Sequence, residues 1–217
     1  KVKEKEKMKN KFMKKLAILC SVAVLTCSSA SVSAASAESE VPAVMETVQV
    51  EAASATAMKL DATLKKKLDK VIKAQKFTKK TTNTKKLQKL FNYTKKAFGY
   101  QRYMGVPSAS GWYTQFAKEM LQTKKGSCYH DAAAFAFLAR RATGLPVRIC
   151  VGTGKVFNSS VWQNHGWVEI KISGKWYTFD TNANRFSSLR KGKWFMQKRT
   201  SMEGKVYKTQ KTYYVNF

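Results

Sequence analysis

Three side chains of this 217-residue chain have the types and spacing of a thiol catalyst: Cys128, His165 and Asp180. Cys128 follows Gly126-Ser127 and opens a segment whose interior reads Ala132-Ala133-Ala134-Phe135-Ala136-Phe137-Leu138-Ala139. A run that is apolar on nearly all sides predicts a central, buried helix. A cysteine in the first turn of such a helix is well placed as a nucleophile, because the positive helix end favours thiolate over thiol. Ser127 suits the N-cap, and Gly126 permits a tight approach to the helix. The competing reading of a lone cysteine is a small buried hydrophobe.

The chain has two histidines. His130 lies two residues after Cys128, and residues two apart on a helix do not face each other. It is expected to be a surface or loop-facing polar residue whose loss is nearly silent. His165 instead opens the strand-like run His165-Gly166-Trp167-Val168-Glu169-Ile170. A two-residue Ser173-Gly174 loop pairs Ile172 with Lys175, so counting outward Trp167 faces Asp180. His165 then shares a sheet face with Asp180 as its diagonal neighbour, about 7–8 Å away at Cα. A carboxylate there fixes the ring tautomer and stabilises the imidazolium. The structural alternative for Asp180 is a turn residue at a strand end.

These residues need elements to hold them. Leu60, Leu64, Leu68, Val71 and Ile72 recur at helical spacing, as do Leu87, Leu90, Phe91, Thr94 and Phe98 before Gly99. A third helix is expected over Trp112, Phe116, Ala117, Met120 and Leu121, and the fourth runs from Cys128 to Thr143, where Gly144 and Pro146 stop it. The period then switches to two: Val147–Val151, the hairpin 167–180, and short runs at Trp194–Met196, Val206–Lys208 and Tyr213–Val215. The expected class is α+β, helices first and then a mostly antiparallel sheet.

Composition bounds the setting. The chain is 44% hydrophobic with 41 Lys+Arg against 13 Asp+Glu, a net charge of +28, so it has material for a core and is drawn to polyanions. Residues 1–15 are Lys-rich, Leu16 to Ala30 are apolar or small, and Ala35-Ser36-Ala37 is a small-x-small site. Together these read as a secretory signal peptide over residues 1–37. Residues 38–58, without an aromatic residue, read as a disordered spacer, leaving 59–217 as the domain. Cleavage after Ala37 removes eight Lys and two Glu, leaving 33 basic and 11 acidic residues, a net +22, with Cys128 and Cys150 the remaining cysteines. Those two can form one disulfide, which would remove the nucleophile. The 14 lysines between Lys59 and Gly99, Lys65, Lys66, Lys67, Lys85 and Lys86 among them, are either solvated helix faces or a surface that holds the protein on an anionic wall polymer. No nucleic-acid-reading motif is present, and membrane contact is expected only through the signal peptide.

Gly126-Ser127-Cys128-Tyr129, the Ala/Phe-rich helix, Gly144-Leu145-Pro146-Val147, His165-Gly166-Trp167-Val168-Glu169 and Trp176-Tyr177-Thr178-Phe179-Asp180 together resemble the transglutaminase-like superfamily, in particular small exported bacterial members. The resemblance implies a papain-like core with Cys128, His165 and Asp180 as triad. It also implies an acyl-enzyme resolved by water (peptidase or amidase) or by an amine (transamidase). Thr181 departs from the Pro that many members carry after the Asp. Acid clusters like the calcium sites of animal transglutaminases are not apparent, and no metal or cofactor is expected.

The expected function is thus an exported thiol enzyme acting on peptide or protein amides. The Cys128 backbone N–H is one oxyanion donor, and Trp112 and Gln122 are candidates for a second. The loop Gly152 to Asn164 is expected to border the substrate cleft, with Trp162 and Trp167 lining it. The alternative is a non-catalytic module of the same fold that binds wall polymer or another polyanion.

Overall fold

The structure, a computed structural model, describes residues 57–190 and 193–217. The segments read as signal peptide and, Ala57 and Met58 apart, as spacer lie outside the described residues. Helix α1 (Ala62–Ala74) is capped by Asp61, whose carboxylate accepts from the Leu64 N–H at 2.8 Å, and buries Leu64, Leu68 and Val71. Helix α2 (Asn83–Ala97), capped by Thr82, buries Leu87, Leu90, Phe91 and Thr94. These are the helical-period positions, so burial of one stripe is what holds two lysine-rich helices in place.

A two-residue strand β1 (Gly99–Tyr100) follows, then α3 (Trp112–Thr123) and a second short strand β2 (Lys125–Gly126). β1 pairs with β2 in parallel, Tyr100 opposite Gly126. Helix α4 (Cys128–Thr143) is buried without interruption from Tyr129 to Ala139. It packs against α1, α2 and α3 on one side and the sheet on the other. An all-round apolar surface, small at the alanines, lets neighbours approach from every direction.

The sheet has five antiparallel strands in the order β6-β5-β4-β3-β7: β3 (Val147–Gly154), β4 (Gln163–Ile172), β5 (Lys175–Phe179), β6 (Gln197–Lys198) and β7 (Tyr207–Tyr214). Two short helices, α5 (Thr181–Phe186) and α6 (Arg199–Met202), lie in its connections. The β4–β5 register runs from Ile172↔Lys175 to Val168↔Phe179, as the two-residue turn requires. Both turn residues, Ser173 and Gly174, have positive φ (47° and 78°), the backbone of a type I′ turn.

Three sequence expectations are corrected. The ladder ends at Phe179 because Asp180 leaves the strand to cap α5. Residues 194–196 are not strand; the pairing segment is Gln197–Lys198. The two runs expected near 206–208 and 213–215 are one strand, Tyr207–Tyr214, with a register shift against β3 between Val151 and Gly152. At that shift Gly152 has no room for a side chain: a Cβ would lie 2.1 Å from the Lys208 carbonyl oxygen.

Candidate active site

Cys128 begins α4, so its backbone N–H is among the first four that lack an intrahelical acceptor. It is half-buried, and both it and Cys150 are free thiols. Cys150 is fully buried in β3, where burial pushes its thiol well up and keeps it protonated. The thiols therefore have different fates, and the disulfide alternative is not the arrangement found.

Close approach of α4 to β4 depends on a missing side chain. A Cβ at Gly166 would stand 2.7 Å from Cδ1 of Tyr129, the residue after Cys128. Glycine there lets the helix start lie against the strand that carries His165. Cys128 and His165 then line one cleft of about 600 Å³, together with Ser127, Tyr129 and Asn182.

His165 and Asp180 are each 1% exposed, and His165 Nε2 lies 2.7 Å from Asp180 Oδ2. With Nε2 committed to the carboxylate, Nδ1 is the nitrogen left for the thiol. Burial opposes charge on the ring, but the Asp180 carboxylate and negative charge at the Cys128 sulfur outweigh it and push the His165 pKa up to about 10. A pKa raised above the unfolded value of 6.5 contributes stability that is fully present below pH 6.5 and is lost as pH rises through about 10. NMR titration of the ring is expected to give a midpoint near 10 in the wild type. In Asp180→Asn the midpoint should fall, because burial then acts with one counter-charge fewer. An unchanged midpoint would remove Asp180 as the cause.

Asp180 does more than hold the ring. Its Oδ1 accepts from the Ala183 N–H at 2.8 Å as the N-cap of α5, and its Oδ2 accepts from the Tyr207 hydroxyl at 2.7 Å. The turn-residue and partner-of-histidine readings are both realised in one carboxylate. Tyr207 stacks on Trp167 at 4.3 Å between ring centroids, so the hydroxyl is aimed by a packed ring. Sequence reasoning missed Tyr207, because it reaches Asp180 only through the shifted β3–β7 register. Tyr207→Phe is expected to cost about 1 kcal/mol of stability in urea unfolding, the worth of one hydrogen bond to a charged group less the gain of an apolar ring. A loss of 3 kcal/mol or none would contradict this account.

His130 is the main correction. It is 9% exposed, and its ring stacks on Phe116 at 3.9 Å. The Ser127 N–H donates to Nδ1 at 3.3 Å, with Ser127 Oγ 3.1 Å from the same nitrogen. Nδ1 must therefore be an acceptor, so Nε2 carries the proton and donates to Glu119 Oε2 at 3.1 Å. Burial lowers the His130 pKa, and Glu119 offsets this only in part. His130 closes a capping box at the third position of α4, where Glu or Gln is usual. Gly126 is glycine for the same reason: a Cβ would meet the His130 Cβ at 2.4 Å. His130 is not among the residues that line the cleft with Cys128, and its ring turns back to Ser127 instead.

Asp131, one helical turn beyond Cys128, joins the elements further. It accepts from Asn182 Nδ2 at 2.7 Å and pairs with Arg185, which also donates to the Thr94 carbonyl at 2.8 Å. Asn182 and Arg185 lie on α5, the helix capped by Asp180. The helix that carries Cys128 and the Asp180 carboxylate are thus tied by a buried ion pair that sequence spacing did not reveal.

Trp112 and Gln122 do not line the cleft. Trp112 is buried between Phe116, Tyr129 and Tyr213, and Gln122 faces a separate depression with Lys70 and Tyr93. Trp167 is buried beneath His165, and Trp162 packs between Lys155 and Lys208 at 4.9 and 4.6 Å from their ammonium groups. The 152–164 loop does border the cleft, through Phe157, Gln163 and Asn164. Among the described residues no three His, Cys, Asp or Glu side chains are grouped to hold a metal ion.

A family model described as the transglutaminase-like superfamily matches residues 72–181, 110 of the 217, a span that includes Cys128, His165 and Asp180. The chain belongs to the transglutaminase-like superfamily. Among solved structures it is similar to a proposed cysteine protease from Cytophaga hutchinsonii, with 18% identity, a TM-score of 0.43, and 71% of this chain and 48% of that one covered. It is also similar to a TGase, with 21% identity, a TM-score of 0.38, and 61% and 35% covered. The chain thus spans about half and about a third of those proteins. Among curated proteins none matches.

Proposed function

We propose that this superfamily member is an exported thiol enzyme that acts on amide bonds through an acyl-enzyme. The observation that carries this is the 2.7 Å pair of buried His165 and Asp180 in one cleft with a half-buried Cys128 at a helix start. The Cys128 thiolate attacks the amide carbonyl carbon, and the oxyanion takes the Cys128 backbone N–H. As the C–N bond breaks, the leaving amine takes the proton from His165, leaving a thioester. Water or an amine then attacks the thioester, His165 takes its proton, and the C–S bond breaks to restore the thiolate. Asp180 keeps the ring oriented throughout.

The test is iodoacetamide labelling at neutral pH. Cys128 is expected to label fast and Cys150, fully buried, not at all. Labelling of Cys128 should slow sharply in His165→Ala. A Cys128 as slow as an ordinary exposed thiol would return the chain to the binding-module reading.

Export follows from the charged, apolar and small-residue order of residues 1–37, and retention at the envelope from the lysines of α1 and α2. Protein from the culture or envelope is expected to begin near Glu38. Material that retains residues 1–37 in the cytosol would refute this. Among the described residues no helix is long and apolar enough to cross a membrane.

A further inference from the structure

Among the described residues, four of the seven large apolar side chains left exposed line the cleft. Tyr100, Tyr103 and Met104 form one wall and Phe157 stands in the other, at 38–73% exposure. Phe186 packs edge-on against Tyr100 at 5.7 Å, and the remaining two, Val106 and Val161, lie on the same two wall segments. Scattered exposed hydrophobes are ordinary, but four lining one cleft, with the other three on or beside its wall segments, mark a contact surface. Phe157 also meets the His165 ring edge-on at 5.7 Å, so the apolar rim reaches the candidate catalytic ring itself.

The charge on that rim is one-sided. Arg102 lines the cleft, and among the described residues no acidic side chain does. No carboxylate pairs with Arg102 among the described residues, whereas Asp61, Asp69, Glu119, Asp131, Glu169, Asp180 and Glu203 all have partners within the fold. From residue 57 to 217 there are 33 Lys and Arg against those seven acids, a net +26. Such a field concentrates acidic ligands, and an unpaired guanidinium at the rim offers a carboxylate a bidentate seat.

We infer that the cleft takes an extended polypeptide segment with bulky apolar residues beside the target amide and an acidic residue at Arg102. This rests on the enzyme reading for its chemistry but not for its binding. The rim is wrong for the short wall stem peptide, whose small and charged side chains would leave the aromatic walls wet.

The test measures binding of fluorescein-labelled short peptides to the Cys128→Ala protein by fluorescence polarisation, so that no turnover is needed. Four peptides are compared: one Phe-flanked with a Glu, one Phe-flanked with a Lys in its place, one Ser-flanked with the Glu, and an Ala-Glu-Lys-Ala wall-type peptide. The first is expected to bind about tenfold tighter than each of the others. Arg102→Glu on the same background should reverse the Glu/Lys preference, while Lys66→Glu, an equal charge change on exposed α1, should leave it in place. Circular dichroism confirms that each variant is folded. Equal binding of all four, tightest binding of the wall-type peptide, or equal effects of Arg102→Glu and Lys66→Glu would overturn the proposal. None of these outcomes bears on Cys128 reactivity, which iodoacetamide decides separately.

Discussion

Cys128→Ala is expected to leave no turnover, and His165→Ala to lower kcat/KM by about 10²–10⁴. The first removes the atom that bonds to the acyl group, and the other described thiol, Cys150, is buried in β3 with its proton held. The second removes both the group that protonates the leaving amine and the group that later takes a proton from the nucleophile. Neither substitution should unfold the domain. Cys128 is half-buried, and loss of the His165 ring leaves Asp180 still paired with the Ala183 N–H and the Tyr207 hydroxyl. Asp180→Ala is a different case, because it breaks three bonds at once and loses stability along with rate. Asp180→Asn keeps an acceptor for the α5 cap and separates the two effects. The measurement is steady-state kinetics on any peptide amide the wild type turns over, with thermal melts alongside. Full activity of His165→Ala, or of Cys128→Ala, would end the thiol mechanism.

The second large effect falls on His130, where spacing alone suggested silence. His130→Ala is expected to destabilise the domain by about 2–3 kcal/mol, from a lost helix cap and a Ser127 N–H left buried without an acceptor. For a domain of this size that is a drop in melting temperature of about 2–4 °C per kcal/mol. His130→Gln should recover a good part of it, because Gln at the third helical position closes the same capping box. Iodoacetamide labelling of Cys128 should slow in the Ala variant and recover in the Gln variant, since the cap orders the turn that carries the thiol.

Acid adds a further distinction. The folded His130 pKa is lowered, so its contribution is present above pH 6.5 and is lost as pH falls through the lower folded value. Protonation of Nδ1 would remove the acceptor of the Ser127 N–H. Glu119 from α3 and Tyr103 from the segment after β1 contact the ring, and Arg102 and Lys125 line the same depression. Burial disfavours the imidazolium, and Glu119 offsets it only in part. The wild type should therefore lose stability on acidification more steeply than His130→Gln. Equal stability of wild type and His130→Ala would make the capping geometry irrelevant.

Local patterns carried a large share of this protein. The all-apolar run after Cys128 announced a central helix, because no other surface tolerates alanine and phenylalanine on every side. The Ser173-Gly174 turn set the hairpin register, because two residues between strands leave one pairing, and that register put His165 and Asp180 within reach. Both inferences rest on short-range geometry. What lay beyond them is long-range in the chain. Tyr207 meets Asp180 because a bulge at Gly152 shifts β7 against β3, and no local period encodes the size of such a shift. Arg185 meets Asp131 because α5 folds back over α4, a packing choice made by the whole core. Trp112 and Gln122 sit on a helix that lies just before Cys128 in sequence, yet α3 turns both side chains elsewhere. His130 marks the boundary most clearly: its spacing from Cys128 said which way the ring does not point, and only the packing of α3 against the start of α4 decided what it holds.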